Sequence, residues 1–267
     1  MSSYPVTPSE LVAELERRLR SDRPSALAFD GDGTLWSGDV GEDVFRFAVR
    51  HGRLREAART QIEHEATSRG FETFADVNAT AEHLFEAYLA HRYPEREMCE
   101  LMTWCFAGHT VPEMKQLASE ALLAASHSQR LHQELEPVLS FARSRGVRTI
   151  VVSASPRAIV ELATEAWGFA APDVAASTPL VVAGVIAPEM DGALPYAAAK
   201  CVAGRALLGD AHWLGSFGDN VFDLEMLLEA EVGVAVRPKP ALRARLAEVP
   251  GVLLLSNDVP SLAKVQL

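Results

Sequence analysis

Short, nearly continuous apolar runs, each followed by a stretch of helical periodicity, recur along this 267-residue chain and leave it few architectures. The runs are SALAF at 25–29, VRTIVVS at 147–153, HWLGSF at 212–217, VGVAV at 232–236 and a last one at 252–256. A strand apolar on both faces must be covered on both, and strands that alternate with helices run parallel. The fold class expected is therefore α/β, a doubly wound parallel sheet. Its helices should cover 131–145, 156–167, 197–208, 220–230 and 240–248, with a short last helix after 256 and two short β-like runs around 173–186. Before the first run, Thr7-Pro8-Ser9-Glu10 has the form of a capping box with proline at the first helical position, predicting a helix from Pro8 to Arg20.

Between Val40 and Gln129 only helical periodicity is found, punctuated by Gly52, Gly70, Pro94, Gly108 and Pro112. An all-helical insertion of about 90 residues thus follows the first strand directly. The expected division is an α/β core of residues 1–38 and 130–267 with a helical cap of residues 39–129. Ligands of open α/β sheets bind beyond the carboxyl ends of the strands, so an insert rooted there reads as a lid over that crevice. Its aromatics Phe45, Phe47, Phe85, Tyr88, Trp104 and Phe106 fall at helical spacing and are expected to form its own core.

A net charge of −11 without a local basic patch argues against nucleic acid and anionic lipid as partners. No apolar run approaches the roughly 18 residues that a bilayer span requires. The charged, helix-patterned first twenty residues lack the form of a secretory signal, and a cytoplasmic location is expected. Cys99, Cys105 and Cys201 form no CxxC pair and read as small core residues.

Four polar features stand at or near the carboxyl ends of the expected strands: Asp30-Gly31-Asp32-Gly33-Thr34, Ser153, Lys200, and Gly218-Asp219-Asn220-Val221-Phe222-Asp223. DGDGT alone could be a turn. Its GxG is no dinucleotide fingerprint, since Trp36 occupies the third glycine position, and no Gly-Lys-Ser/Thr follows. His64-Glu65 begins like a zinc-protease helix, but Ser68 stands where the second histidine belongs, and GxSxG is absent. Side chains at i and i+2 leave a strand on one side, so Asp30 and Asp32 should both face the crevice. With Asp219 and Asp223 they gather four carboxylates, which repel unless a cation sits among them; all-oxygen ligation points to Mg²⁺. Lys200 and Ser153 add a cation and a donor, a set suited to phosphate. Each has a plainer reading: Ser153 as the cap of the helix near Pro156, Lys200 as a solvated helix lysine, Asn220 as a cap. Lys200 is, however, one of only four lysines in the chain.

These residues resemble the haloacid-dehalogenase-like (HAD) hydrolases, and within them the branch containing phosphoserine phosphatase. The motif DxDxT stands as Asp30 to Thr34, the strand-ending Ser/Thr as Ser153 in VVSAS, the helix lysine as Lys200, and GDxxxD as Gly218 to Asp223. The resemblance extends over about Ala26 to Asp258 and implies a Rossmann-like core with a helical cap after the first strand. It implies that Asp30 is a nucleophile forming a phospho-aspartyl intermediate and that Asp32 is the general acid and base. Mg²⁺ would be held by the Asp30 and Asp219 carboxylates and the Asp32 carbonyl. Lys200, Ser153 and backbone N–H groups near Gly31 and Ala154 would bind the phosphoryl group, braced by Asp223, Asn220 and Thr34.

Because Asp32 can protonate an alkoxide, which a halide leaving group would not need, a phosphatase acting on a small-molecule phosphate ester is favoured over a dehalogenase. A phosphotransferase and a catalytically silent scaffold binding partners through its cap are the alternatives. Asp39 lies nine residues after Asp30, where phosphoserine phosphatases carry a glutamate for the substrate amine, and Phe222 replaces their usual asparagine. Both differences weigh against phosphoserine itself. Asp39 reads equally as the cap of the first insert helix. Seven histidines in or beside the insert read as solvated, and Arg50, Arg53 and Arg55 as surface residues that could clamp a substrate carboxylate.

Overall fold

The computed structural model describes residues 5–246, 248–249 and 251–257, so the last short helix and the end of the family-like span lie outside the described residues. Seven strands form one sheet in the order β1-β9-β8-β7-β2-β3-β4. They are β1 (Pro5–Val6), β2 (Ser25–Phe29), β3 (Arg148–Pro156), β4 (Val174–Ser177), β7 (His212–Gly218), β8 (Val232–Val236) and β9 (Val252–Leu255), and every pairing is parallel. β5 (Pro179–Val182) and β6 (Val185–Met190) make a separate antiparallel hairpin. The β-like runs thus split: the first joins the main sheet and the rest folds away from it.

Strand composition explains the two layers. β2 alternates small and large residues, with Ala26 and Ala28 packed beside Ile150, Val152, Trp213 and Met226, and Leu27 and Phe29 in the larger cluster on the opposite face. The first face is covered by α9 (Ala199–Leu208) and α10 (Leu224–Glu229), the second by α1 (Pro8–Arg18) and α7 (Glu136–Arg145). α11 (Pro240–Leu246) completes the core helices together with α8 (Arg157–Ala163). Thr7 caps α1 as expected, with its hydroxyl and the Glu10 carboxylate bonded reciprocally.

Between β2 and α7 the chain forms five α-helices: α2 (Val40–Arg50), α3 (Arg59–Ser68), α4 (Val77–Leu89), α5 (Glu95–Trp104) and α6 (Val111–Ala124). The segments entering and leaving them run side by side, with Ser37 N–H donating to the Arg130 carbonyl (3.0 Å) and His132 N–H to that of Leu35 (3.0 Å). The insert is fastened at a distance from these roots as well. α2 and α6 pack on α8, and Gly108 and His109 exchange backbone hydrogen bonds with Ile186 of β6. Phe45, Phe85, Trp104 and Phe106 are buried, but in one continuous cluster that also holds Phe29, Ile159 and Phe217. The expectation of a self-contained insert core is therefore corrected: the apolar faces of α2 and α6 are completed by α8.

Three of the histidines expected on solvated faces are buried instead: His109, His127 and His132 are 3%, 8% and 2% exposed. Each uses a ring nitrogen to bond a carbonyl, of Arg53, Ala163 and Thr34 respectively, which makes an interior site tolerable. Among the described residues no helix is long and apolar enough to cross a membrane.

Candidate active site

Register in the sheet brings the first acids together. Phe29 at the end of β2 pairs with Phe217 of β7, their rings stack at 4.3 Å, and Asp30 N–H donates to the Phe217 carbonyl. Asp30 and Gly218-Asp219 therefore leave neighbouring strands at the same height. Gly33, the residue after Asp32, has a φ of +83°, and a Cβ there would lie 2.0 Å from Asp219 Oδ2; only glycine fits this turn against that carboxylate. On the other side of β2, β3 carries Ser153 to the same edge, where its register with β4 shifts. α9 lays Lys200 across the strand ends.

The result is a pocket of about 60 Å³ holding Asp30, Asp32, Asp39, Ser153, Ala154, Lys200, Asp219, Asn220 and Asp223 among its lining residues. Lys200, 5% exposed, donates to Asp30 Oδ1 (2.7 Å) and to Asp223 Oδ1. Burial opposes its charge, but the Asp223 and Asp30 carboxylates outweigh burial and hold the ammonium charged, its pKa raised above the ordinary lysine value. Thr34 Oγ1 donates to Asp30 Oδ2 (3.0 Å), and the N–H groups of Asp219 and Asn220 donate to Asp223 Oδ2. Gly31 is wedged between the Trp36 ring and Ser153 Oγ.

Asp32 is held apart from these acids. Its Oδ1 accepts from Trp36 Nε1 (2.9 Å) and Val40 N (2.7 Å), and its Oδ2 from Ser155 Oγ (2.6 Å). Three donors fix its orientation in the pocket while the opposite oxygen keeps a hydroxyl that can donate or accept.

Ligand atoms of Asp30, Asp219 and Asp223 all lie within 4.8 Å of one another. Asp219 is 2% exposed, and its Oδ1 is buried without a hydrogen-bond partner, while Oδ2 faces Lys239 Nζ at 3.2 Å. Burial raises the carboxyl of Asp219 to about 6, with Lys239 pulling down and Asp223 pushing up. Burial and then the Asp223 charge push Asp30 well above the ordinary aspartate value, against the pull of Lys200. An orphaned buried carboxylate oxygen beside a second strained carboxylate, in an all-oxygen set, fits a hard divalent cation such as Mg²⁺. Both oxygens of Asp223 are already engaged, so Asp223 serves to anchor Lys200 and the β7 loop.

Several readings of single residues are corrected. Ser153 does not cap a helix: α8 starts after Pro156 without a side-chain cap, and Ser153 Oγ accepts from Ser155 N instead (3.1 Å). Lys200 is buried, not solvated. The helix expected at 220–230 opens with a 3₁₀ turn, Val221–Asp223, before α10. Asp39 takes the capping role, bonding Glu42 N (2.8 Å) at the start of α2, and it also lines the pocket. Arg53 and Arg55 pair with Glu120 and Glu113, away from the pocket, and Arg50 is absent from its lining. Sequence reasoning missed Trp36, Ser155 and Lys239, and the pocket residues Glu95, Cys99 and Tyr196. Lys239 had a signal, since it follows the end of another apolar run, VGVAV.

A family model described as haloacid dehalogenase-like hydrolase matches residues 27–228. No curated protein matches the chain. Among solved structures, a protein with unknown function from Bordetella pertussis Tohama I is 20% identical with a TM-score of 0.69, covering 88% of this chain and 100% of its own. A conserved functionally unknown protein from Anaerococcus prevotii DSM 20548 is 16% identical with a TM-score of 0.70, covering 94% and 92%. A phosphoserine phosphatase in apo form is 17% identical with a TM-score of 0.50, covering 88% and 96%. At these identities the likeness is one of fold.

Proposed function

The chain belongs to the haloacid dehalogenase-like hydrolases, and from that premise we propose that it is a Mg²⁺-dependent phosphomonoesterase acting on a small phosphate ester through a phospho-aspartyl enzyme. The observation that carries this reading is the convergence of Asp30, Asp219 and Asp223, with ligand atoms within 4.8 Å of one another, one Asp219 oxygen without a hydrogen-bond partner and Lys200 bridging Asp30 and Asp223. Asp30 and Asp219, with the Asp32 carbonyl, would hold Mg²⁺, which supplies charge neutralisation for the phosphoryl oxygens.

A carboxylate oxygen of Asp30 attacks phosphorus as the bond from phosphorus to the leaving alcohol oxygen breaks. The departing oxygen takes a proton from the Asp32 carboxyl. Water then attacks the phosphoryl group on Asp30 and gives its proton to the Asp32 carboxylate, releasing inorganic phosphate and restoring both residues. Lys200 balances charge on the transferring group, the Ser153 hydroxyl and the Ala154 N–H offer donors to its oxygens, and Thr34 keeps Asp30 from rotating. Trp36, Val40 and Ser155 aim Asp32. An aimed acid is what an alkoxide leaving group requires and a halide does not, which supports the phosphatase over a dehalogenase. The intact set of acids and lysine likewise speaks against a silent scaffold.

The test is phosphate release from an aryl phosphate with Mg²⁺. Release that stops with EDTA and in Asp30→Asn is expected; no release from a broad panel of phosphomonoesters would overturn the reading.

A further inference from the structure

A second cavity, of about 230 Å³, shares no lining residue with the pocket that holds Asp30. It lies where α5 and α6 of the insert meet α8 and the β5–β6 hairpin of the core. Its walls are aliphatic, with Val111 and Met114 from α6, Pro156 before α8, and Val181 and Ile186 from the hairpin. Packed interiors hold few voids of this size, and hydrogen bonds fix the elements around this one. Thr103 Oγ1 and Ser177 Oγ are 2.7 Å apart, Gly108 N–H donates to the Ile186 carbonyl, and Ile186 N–H donates to that of His109.

The mouth of the cavity is charged. Lys115 Nζ and Arg157 Nε both donate to the single carboxylate of Glu161, at 2.8 and 2.9 Å. The Lys115 and Arg157 side chains are 43% and 38% exposed, whereas Met114 and Ile186 are buried, so the charges stand outside and the aliphatic groups within. Burial pushes the Glu161 carboxyl up, but Lys115 and Arg157 together bring it below the ordinary glutamate value, and it remains ionised. Among the described residues these three are the charged side chains that line the cavity. Two neighbouring acids are taken up elsewhere, Glu113 by Arg55 and Asp173 by Arg148. Two cations against one carboxylate leave a positive charge at the mouth of an apolar cavity, in a chain whose net charge is −11.

We infer that this cavity is a binding site for a compact amphipathic monocarboxylate, its apolar body among Val111, Met114, Val181 and Ile186 and its carboxylate between Lys115 and Arg157. Size and charge carry the inference. An apolar cavity of about 150 Å³ suffices to hold benzene, so one of about 230 Å³ has room for a ring with a short arm. A cationic ligand would meet like charge at the mouth, and a neutral one would leave the unmatched charge unmet. A carboxylate has two oxygens to share between an ammonium and a guanidinium, as those of Glu161 already do. The occupant would touch α6 of the insert and α8 and the hairpin of the core together. No strand-end acid takes part, so this site stands or falls independently of the phosphatase reading.

The test is calorimetric titration of the full chain at low ionic strength with 3-phenylpropanoate and with its neutral counterpart, 3-phenylpropan-1-ol. The acid should saturate one site with a Kd of about 1 mM or lower and bind about fivefold more tightly than the alcohol, a gap that narrows as salt is added. Val181→Trp, at a hairpin position 40% exposed, places a large ring in the cavity and should abolish binding of both compounds. Lys115→Met keeps the aliphatic stem and removes the charge; it should bring the acid down to about the affinity of the alcohol and leave the alcohol unchanged. Absence of saturation at about ten times that concentration, equal affinities for acid and alcohol in the unaltered protein, or binding untouched by Val181→Trp would overturn the inference. A gap that Lys115→Met leaves in place would overturn it as well.

Discussion

On the strand-end wall of the pocket Asp30, Lys200, Asp219 and Asp223 are nearly sealed from water, and each meets an opposite charge. On the insert wall Asp39 and Glu95 are half-buried, and among the described residues neither forms an ion pair. The first wall is held by sheet register and by hydrogen bonds that leave its groups little freedom before any substrate arrives, the condition under which fixed charges lower a barrier most. On the second, Lys239 only partly offsets the burial that raises both carboxyls. We place the proposed chemistry on the first wall, and the contrast between the two walls can be broken experimentally.

The largest effect is expected from Asp30→Asn, which removes the attacking oxygen: hydrolysis of an aryl phosphate should fall by about 10⁴ or more while the circular dichroism spectrum is retained. Lys200→Met strips the cation from between two buried carboxylates. Activity should drop by about 10³, and urea denaturation should show a loss of about 3–5 kcal/mol, because Asp30 and Asp223 are left facing each other unpaired. If the strand-end wall is a metal site, Mg²⁺ at about a hundred times its Kd should raise the melting temperature by about 5–10 °C. That rise should vanish in Asp219→Asn, and an equal rise in the variant would remove Asp219 from the metal set. Ser155→Ala should lower kcat for alkyl phosphates about tenfold and for aryl phosphates less, since only poor leaving groups depend on a well-aimed Asp32.

The smallest effect concerns the joint between the insert and the core, where His127 bonds the Ala163 carbonyl of α8. His127 packs edge-on against Trp36, 5.0 Å between ring centroids, and burial lowers the pKa of His127, His132 and His109 below the ordinary histidine value. The unfolded chain then binds protons that the folded chain refuses. Their contribution to stability is complete above about pH 6.5 and is lost as pH falls through the lower folded values. Melting curves from pH 7 down to pH 5 should show a falling midpoint that His127→Gln makes shallower.

The sheet and the strand-end wall were readable from sequence because both follow from short-range patterns. SALAF and VGVAV are apolar on both faces, and acids placed at or just beyond strand ends must converge when the strands are parallel neighbours. β1 was not readable, since two residues, one of them proline, carry no period and gain strand geometry only by pairing with β9. The buried histidines were missed because their carbonyl partners lie 36 to 98 residues away. Glu95 offered no local sign either: it reaches the pocket because α5 packs over β3 and β6, a tertiary arrangement that a helical period does not encode.

The central claim, that Asp30 accepts the phosphoryl group, is tested most directly by acid-quenching the protein during turnover of a phosphate ester and locating the phosphoryl group by peptide mass spectrometry. The prediction is one phosphoryl group on Asp30, absent from Asp30→Asn and absent after EDTA treatment. Phosphate release with no covalent adduct, or with the adduct on any other residue, would contradict it.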